Sequence, residues 1–323
     1  MLTVIELFAG IGTQALALEY EQIPHKVVGI SEIDAKAITA YKALHGEVEN
    51  YGDITKIETL PYADFWTYSS PCTSFSLAGR QAGGDEGSGT ASSLIWEVKR
   101  LLLKAQVDDT LPKYLMLENV KNMLGKKHKH NFDAWVQFLE GLGYNNYYEI
   151  LNSADYGSVQ QRERIIMISI RKDVDNGKFN MNFEKTETPD YRTLLEENPT
   201  DDIYLTANDL DKMKDFGAPY SFGGYILKGT VYPTITASYG KITGNSAKII
   251  RDPRNIMLTN KKVITPVPSI LTPREALRFM GLKQEDCDTL YNTFENKKVL
   301  YKLAGNAIVV DVLRMVYKRL FTE

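Results

Sequence analysis

Leu2-Thr3-Val4-Ile5-Glu6-Leu7-Phe8-Ala9-Gly10-Ile11-Gly12-Thr13-Gln14-Ala15 opens the chain with an apolar strand pattern that runs straight into a glycine turn. Residues 2–8 alternate as a buried strand, Gly10-Ile11-Gly12 turns it, and Thr13 to Gln22 reads as a helix. Two glycines with alanine in the third place match a dinucleotide-type fingerprint, in which backbone N–H groups at a helix start receive the ligand. Lys26 to Ser31 reads as a second strand. Glu32 follows it, where an acid accepts hydrogen bonds from ribose hydroxyls. Ile33 lies beside it. A short third strand is expected to end near Asp53-Ile54, which would hold the adenine amine. The pattern points to an adenosine-type ligand at the first strand's end and leaves NAD, FAD and S-adenosylmethionine equally open.

Outward from that unit the rhythm continues. Asp34 to His45 reads as a helix with Asp34 as its cap and Gly46 past its end. Phe65 to Ser70 is a fourth strand, Leu94 to Lys104 a helix, and Lys113 to Leu117 a fifth strand that ends at Glu118. Asn131 to Gly141 is helical, and Tyr144 to Asn152 and Arg164 to Ile170 form a last pair of strands. Strands alternating with helices predict an α/β fold with a mostly parallel sheet covered on both faces. After Arg171 the pattern dissolves. Residues 180–265 hold Pro, Gly, Asn and Thr with short apolar pieces, which reads as a second, smaller domain. Thr272 to Met280 is a helix with a Thr272/Glu275 capping-box pattern and Pro273 at its first position. Gly305-Asn306-Ala307-Ile308-Val309-Val310 leads into a terminal helix.

Two of the strand ends carry reactive groups. Pro71-Cys72 ends one apolar run and Glu118-Asn119-Val120 another, which places a thiol and a carboxyl group on the same rim of one sheet. Ligands in open α/β sheets sit beyond that rim. A thiol adds covalently to an electrophilic carbon, and a carboxyl group donates a proton or hydrogen bond to it. Thiol reactivity needs a positive neighbour, and Gln160-Gln161-Arg162-Glu163-Arg164, at the start of another strand, supplies two candidates. A Gly- and Ser-rich stretch, Gly79 to Ser93, follows Cys72, and the loop from Ser74 to Ser93 reads as a lid hinged at its glycines.

The composition, 43% hydrophobic and 24% charged over 323 residues, is that of an ordinary globular chain. No apolar run approaches the roughly 20 residues of a membrane helix. The first residues lack the basic start of a secretory signal. Cys72 and Cys287 are the 2 cysteines, too few for a disulfide framework and suited to a reducing cytoplasm. The net charge of −3 gives no general support for nucleic-acid binding, but the distribution is uneven. From Glu184 to Asp215, 10 acids stand against 4 bases, giving −6; from Ile226 to Lys262, 7 bases stand against 1 acid, giving +6. The basic segment is either a solvated face or a surface turned toward phosphates.

Taken in order, Phe-x-Gly-x-Gly, Pro-Cys, Glu-Asn-Val, Gln-x-Arg-x-Arg, an irregular region and Gly-Asn-Ala-Ile-Val-Val resemble the cytosine-5 DNA methyltransferases of bacterial and phage type II modification systems. The resemblance covers almost the whole chain. Within the irregular region, Pro233-Thr234-Ile235-Thr236 is similar to the family's short Thr-Leu signature. It implies a Rossmann-like, S-adenosylmethionine-dependent methyltransferase fold formed by residues 1–180 and completed by 296–323. A target-recognition domain would span 181–268, with a hinge and connecting helix at 269–295.

The resemblance further implies that Cys72 adds to C6 of a flipped-out cytosine and that Glu118 protonates or hydrogen-bonds the ring at N3 and the exocyclic amine. Asn119 would position the Glu118 and Pro71 loops, and Arg164, with Arg162, would contact the base. Phe8, Gly10, Ile11, Gly12, Glu32, Ile33, Asp53, Ile54 and Pro71 would form the cofactor pocket, closed by Asn306 and Ile308. Arg80 and Gln81 in the lid, with Thr234, Lys241, Lys248, Arg251 and Arg254, would face double-stranded DNA. A cytoplasmic monomer without a metal is expected, with a cognate restriction endonuclease as a partner only through a shared site. The alternative is a related tRNA cytosine-5 methyltransferase, against which stands the lack of a Cys-Phe-Thr signature in the small region. A nicotinamide-dependent oxidoreductase would leave Pro-Cys, Glu-Asn-Val and Gln-x-Arg-x-Arg without a role.

Overall fold

The computed structural model describes residues 1–71, 91–199, 202–212, 225–240, 247–252, 254, 257–258, 263–264 and 267–323. The chain divides into two compact units. The first comprises Met1–Asn152, Glu163–Lys185 and Val310–Glu323; the second comprises Ser153–Arg162 and Thr186–Val309.

Along the chain run strands β1 (Leu2–Leu7), β2 (His25–Ser31), β3 (Phe65–Tyr68), β4 (Tyr114–Val120), β5 (Tyr144–Asn152), the two-residue β6 (Gln160–Gln161) and β7 (Glu163–Arg171). All but β6 build a six-stranded sheet in the order β2-β1-β3-β4-β7-β5. β1 pairs in parallel with β2 and β3, and β3 pairs in parallel with β4. β7 is antiparallel to both β4 and β5, so it alone in this sheet runs against the other strands.

Helices α1 (Thr13–Tyr20), α2 (Ala35–His45), α3 (Ile95–Val107), α4 (Lys129–Gly141) and, from the end of the chain, α9 (Val310–Thr322) belong to the same unit. Strand alternation sorts the side chains between two faces. Ile5, Leu7, Trp66, Tyr68, Leu115, Leu117 and Met167 pack with Val98, Leu101 and Leu102 of α3 and with Phe132, Trp135 and Leu139 of α4. The three- and four-residue spacing of those α4 residues is the helical period that makes one buried stripe. Phe65 points to the other face and meets Tyr317 and Phe321 of α9 edge-on, each at a centroid distance of 5.4 Å.

In the second unit the strands are two-residue pairs: β6 with β9 (Tyr232–Pro233), β8 (Tyr225–Ile226) with β10 (Ala247–Lys248), and β11 (Met257–Leu258) with β12 (Val263–Ile264). Helices α5 (Ala207–Lys212), α6 (Pro273–Arg278), α7 (Gln284–Thr293) and α8 (Val299–Asn306) accompany them. An aromatic core of Tyr191, Tyr232, Tyr239 and Phe279 replaces a continuous sheet. The capping box read from Thr272 and Glu275 is present at α6, with both reciprocal hydrogen bonds.

Two expectations change. No third strand ends at Asp53; only Asn50 bridges Ile30, and the chain then turns at Gly52 with φ 70°. The side chain of Asn50 does the work of a ladder there: its Oδ1 accepts from the Glu32 and Gly52 N–H groups at 3.2 and 3.0 Å, and its Nδ2 donates to Glu32 O at 3.1 Å. The division of the chain also differs from the expected boundaries. Residues 153–162 and 269–309 group with the second unit, because β6 pairs there and the side chains of Gln160 and Arg162 bond to backbone of that unit.

Candidate active site

At the end of β1 the chain turns through three positive φ angles: Phe8 at 58°, Gly10 at 60° and Gly12 at 76°. A left-handed phenylalanine costs roughly 1–2 kcal/mol, and such strain persists where the surroundings overdetermine it. The surroundings here are a buried polar network. Glu6, fully buried in β1, accepts the Ala15 N–H at 3.0 Å and the Tyr41 hydroxyl at 2.5 Å. Burial raises the Glu6 carboxyl from 4.5 to about 7 and pushes the Tyr41 phenol above its ordinary range. The Tyr41 ring lies 4.4 Å from the His45 ring. Burial holds the His45 imidazole down at about 4, so the neutral ring donates from Nε2 to Ile11 O at 3.2 Å.

The two glycines of the turn have different reasons. A Cβ on Gly12 would lie 2.3 Å from His45 Nε2 and 2.6 Å from Tyr41 Cε2. A Cβ on Gly10 would meet nothing within 4 Å. Gly10 therefore has open space above it, and Gly12 is packed from below.

Beside the turn, Glu32 accepts the Gly10 N–H at 2.8 Å through Oε2 and the Ile33 and Asp34 N–H groups, both at 2.8 Å, through Oε1. A carboxylate oxygen has two lone pairs, so Oε2 retains capacity for a hydroxyl donor. Ile33 is 73% exposed, an apolar side chain left in the open next to that carboxylate. Asp53 caps the short 3-10 turn Ile54–Lys56 through Thr55, and its carboxyl is held below the usual range mainly by the Thr55 hydroxyl and N–H. Ile54 is buried beneath it. Arg100 of α3 fixes this turn by donating to Ile57 O at 2.7 Å and Ile54 O at 2.9 Å, while Glu97 aligns its guanidinium at 2.8 Å.

The reactive rim is built on β4 and β7. Val120 pairs with Arg164 and Glu118 with Ile166, so Glu118 and Arg164 are diagonal neighbours on one face. Arg164 Nε reaches Glu118 Oε1 at 3.0 Å with both side chains largely buried. The next residue, Asn119, points to the opposite face, where Nδ2 donates to Ser70 O at 3.1 Å and Oδ1 accepts the Val120 N–H at 2.9 Å. One amide thus ties the segment that ends at Pro71 to the end of β4. Cys72, Arg80, Gln81 and Lys241 lie outside the described residues.

In the second unit several expected ligand contacts turn inward. Arg162 is 4% exposed, and its guanidinium donates to Ile235 O at 2.8 Å, Gly305 O at 2.9 Å and Ala307 O at 3.0 Å. Contact of Arg162 with a base is corrected on that ground: it is buried and its Nη groups serve the backbone. Gln160 completes the clamp by accepting the Ile235 N–H at 2.8 Å. Thr234, exposed, donates to Gln161 O at 2.7 Å. Lys248 is fully buried, and burial pushes its ammonium down to about 8. Arg251 is paired with the buried Glu275, through Nη1 at 2.8 Å and through Nη2. A phosphate contact needs a solvent-facing cation, so the expected DNA-facing roles of Lys248 and Arg251 are corrected as well. Arg254 is 89% exposed and pairs with Asp252 at 3.0 Å. Asn306, exposed, ends α8, and Ile308 is buried.

Glu6, Tyr41, His45, Asn50, Ser70 and Arg100 did not emerge from the sequence. For Glu6 a signal existed: a carboxylate in the middle of an otherwise apolar strand has to find partners. Among the described residues no group of three or more His, Cys, Asp or Glu side chains is placed to hold a metal, and no helix is long and apolar enough to cross a membrane.

A family model described as C-5 cytosine-specific DNA methylase matches residues 2–322. The type II methyltransferase M2.ScrFI of Lactococcus lactis subsp. cremoris is 34% identical, with 99% of both chains covered. The orphan methyltransferase M.SssI of Spiroplasma monobiae is 29% identical over 99% of this chain and 97% of its own. Among solved structures, the Dnmt2 methyltransferase of S. pombe superposes with a TM-score of 0.73 over 99% of this chain and 98% of that one, at 19% identity, which is a likeness of fold.

Proposed function

Because this chain belongs to the C-5 cytosine-specific DNA methylase family, we propose that Cys72, Glu118, Asn119 and Arg164 carry its chemistry at the rim of β4. The enzyme transfers a methyl group to C5 of cytosine in DNA and takes it from S-adenosylmethionine. The residues around β1 suit that donor. The open space above Gly10 leaves room for the methionine part over the turn of Phe8, Gly10, Ile11 and Gly12. Glu32 can accept a ribose hydroxyl, the exposed Ile33 offers an apolar face to adenine, and Asp53 with Ile54 lies at the turn that Arg100 holds. Pro71, Asn306 and Ile308 complete the proposed cofactor set. Bound there, S-adenosylmethionine supplies an electrophilic methyl group.

C5 of cytosine is a poor nucleophile. Addition of the Cys72 thiolate to C6 makes C5 an enamine-like carbon able to attack the methyl group. Glu118 donates a hydrogen bond or proton to N3 and stabilises the charge gathering on the ring, and Arg164, aligned on Glu118, polarises the same base. Transfer of the C5 proton to a solvent water then breaks the C6–S bond, releases the Cys72 thiolate and restores the aromatic ring. Asn119, through Ser70, sets where the chain enters the Pro71-Cys72 segment. A stacked cytosine is out of reach, so the base must be extruded first, at about a few kcal/mol.

The observation that carries this reading is the Glu118–Arg164 pair on the strand rim to which Asn119 ties Ser70. We further propose that the enzyme works as a cytoplasmic monomer on a short DNA site, as either a solitary enzyme or the companion of a restriction endonuclease reading the same site. The test is cytosine-methylation sequencing of DNA from a methylation-free host expressing the chain, beside Cys72→Ala and Glu118→Gln. Methylation in one short motif, absent with Cys72→Ala, is expected. Methyl transfer to that host's tRNA alone would overturn the DNA reading.

A further inference from the structure

We infer that the turn following the Glu118 strand end, Lys121 to His130, is the surface on which this enzyme grips the phosphodiester backbone of its DNA. The inference rests on the DNA-methylating reading above and names a surface for it. From Asn119 to Phe132 the chain carries 4 lysines and 2 histidines and no acid, a charge of +4 with histidine neutral. The segment continues directly from the reactive rim: β4 ends at Val120 opposite Arg164, and Lys121 pairs with Glu163, the neighbour of Arg164 in β7. The basic turn and the candidate catalytic carboxylate therefore share one end of one strand.

The turn presents its charges and buries the rest. Lys121, Lys126, Lys127, Lys129 and His130 are exposed, whereas Met123, His128 and Phe132 are buried at 1–2%. Gly125 fixes its path. The His128 and Lys129 N–H groups donate to Gly125 O at 2.8 and 2.9 Å, and a Cβ on Gly125 would fall 2.5 Å from Asn122 Oδ1. The lysines thus stand on a rigid base. Lys129 pairs with Asp133 at 2.6 Å, but both side chains are about half exposed at 57% and 46%. Such pairs are worth little in water and yield readily to a phosphate. α4 has no acid in its first turn, so its N-terminal dipole adds to the field and is not cancelled. The basic segment singled out by composition, by contrast, hides Lys248 and Arg251. Lys126, Lys127, Lys129 and His130, unlike those two, are exposed, and they lie in the segment that follows the carboxylate's strand.

The test compares the full chain with Lys126→Glu/Lys127→Glu, and with Lys172→Glu/Lys178→Glu as a control. Lys172 and Lys178 follow β7 and are exposed at the opposite end of the sheet. Binding of a labelled duplex is measured from about 50 to about 200 mM salt, with S-adenosylmethionine binding measured alongside. The first variant is expected to bind DNA about tenfold or more weakly and to lose roughly two from the log–log salt slope, near 0.9 per phosphate contact. Its S-adenosylmethionine binding should be unchanged. Should charge reversal disturb folding, Lys126→Gln/Lys127→Gln should show the same loss of slope. A slope equal to that of the control pair overturns the assignment while wild-type methylation of DNA leaves the enzyme's function standing. A wild type that methylates no DNA overturns both.

Discussion

Gly10 and Gly12, two residues apart in one turn, should respond to the same substitution in opposite ways. Both take left-handed φ, so alanine at either costs about 1–2 kcal/mol of backbone strain. At Gly10 the new methyl meets nothing, and the cost to folding ends there. At Gly12 it lands 2.3 Å from His45 Nε2 and 2.6 Å from Tyr41 Cε2. His45 cannot simply swing away, because its Nε2 is spent on Ile11 O and its ring lies against Tyr41, whose hydroxyl is held by Glu6. Overpacking adds about 1–3 kcal/mol, and a lost hydrogen bond about 1 kcal/mol more. Gly12→Ala should therefore cost about 3–6 kcal/mol in urea unfolding and Gly10→Ala about 1–2 kcal/mol. For S-adenosylmethionine the ranking reverses relative to stability: Gly10→Ala, the less destabilised of the two, should lose most of its cofactor affinity by calorimetry. Adding His45→Ala to Gly12→Ala should recover about 1–2 kcal/mol, which a double-mutant cycle isolates. Equal destabilisation by the two alanines, or wild-type cofactor binding by Gly10→Ala, would refute this account of the turn.

Four further outcomes follow from the buried charges. Glu6 in the folded chain holds its proton up to about pH 7, whereas the unfolded chain releases it near 4.5. Stability should therefore fall as pH rises between those values, by about 3 kcal/mol in all, and Glu6→Gln should flatten that fall in denaturant midpoints taken across the window. Arg162→Ala strands three backbone carbonyls and should destabilise the chain by several kcal/mol. Arg164→Ala takes the guanidinium from the largely buried Glu118 and should cost some stability; in the enzyme that remains folded it should also cut the methylation rate by about a hundredfold or more, the scale of a lost transition-state donor. Arg251→Ala leaves Glu275 charged and buried, so it should cost about 3–5 kcal/mol of stability without moving the salt slope of DNA binding.

The sheet was legible because its signals are local. β1, β2, β3, β4 and β7 each show an apolar run, and α2 carries both of its ends in sequence, Asp34 as cap and Gly46 beyond. The region around Asp53 was misread because Asn50 replaces a ladder with side-chain hydrogen bonds, which no propensity encodes. The charge in the second unit was misread for a related reason. Composition counts Lys248 and Arg251 as cations but cannot say that one is buried and the other neutralised by a glutamate 24 residues away. Gln-x-Arg-x-Arg shows the same limit at closer range. Alternation puts Arg162 and Arg164 on the same side of a strand, yet the first serves Ile235, Gly305 and Ala307 while the second serves Glu118.

The division of labour between those two arginines bears on how the rim is prepared for chemistry. A charge that must stabilise a transition state works best when its position is set beforehand, so that no reorganisation is needed at the moment of reaction. Arg164 meets that condition through Glu118 and through Glu163 O, to which Nη1 donates at 2.8 Å. Asn119 meets it for the entrance to the Pro71-Cys72 segment, and Arg100 for the exit side. Arg100 lies on α3, the helix that follows residues 72–90, and anchors it to Ile54 O and Ile57 O beside Asp53. The two flanks of the segment bearing the proposed nucleophile are thus bonded to the strand that carries the proposed acid and to the turn proposed to hold the adenine. Removing the Arg100 guanidinium would loosen the adenine-side turn and the exit flank together. Loss of cofactor affinity and loss of methyl-transfer rate should therefore appear in the same variant, although Arg100 is assigned no contact with either substrate.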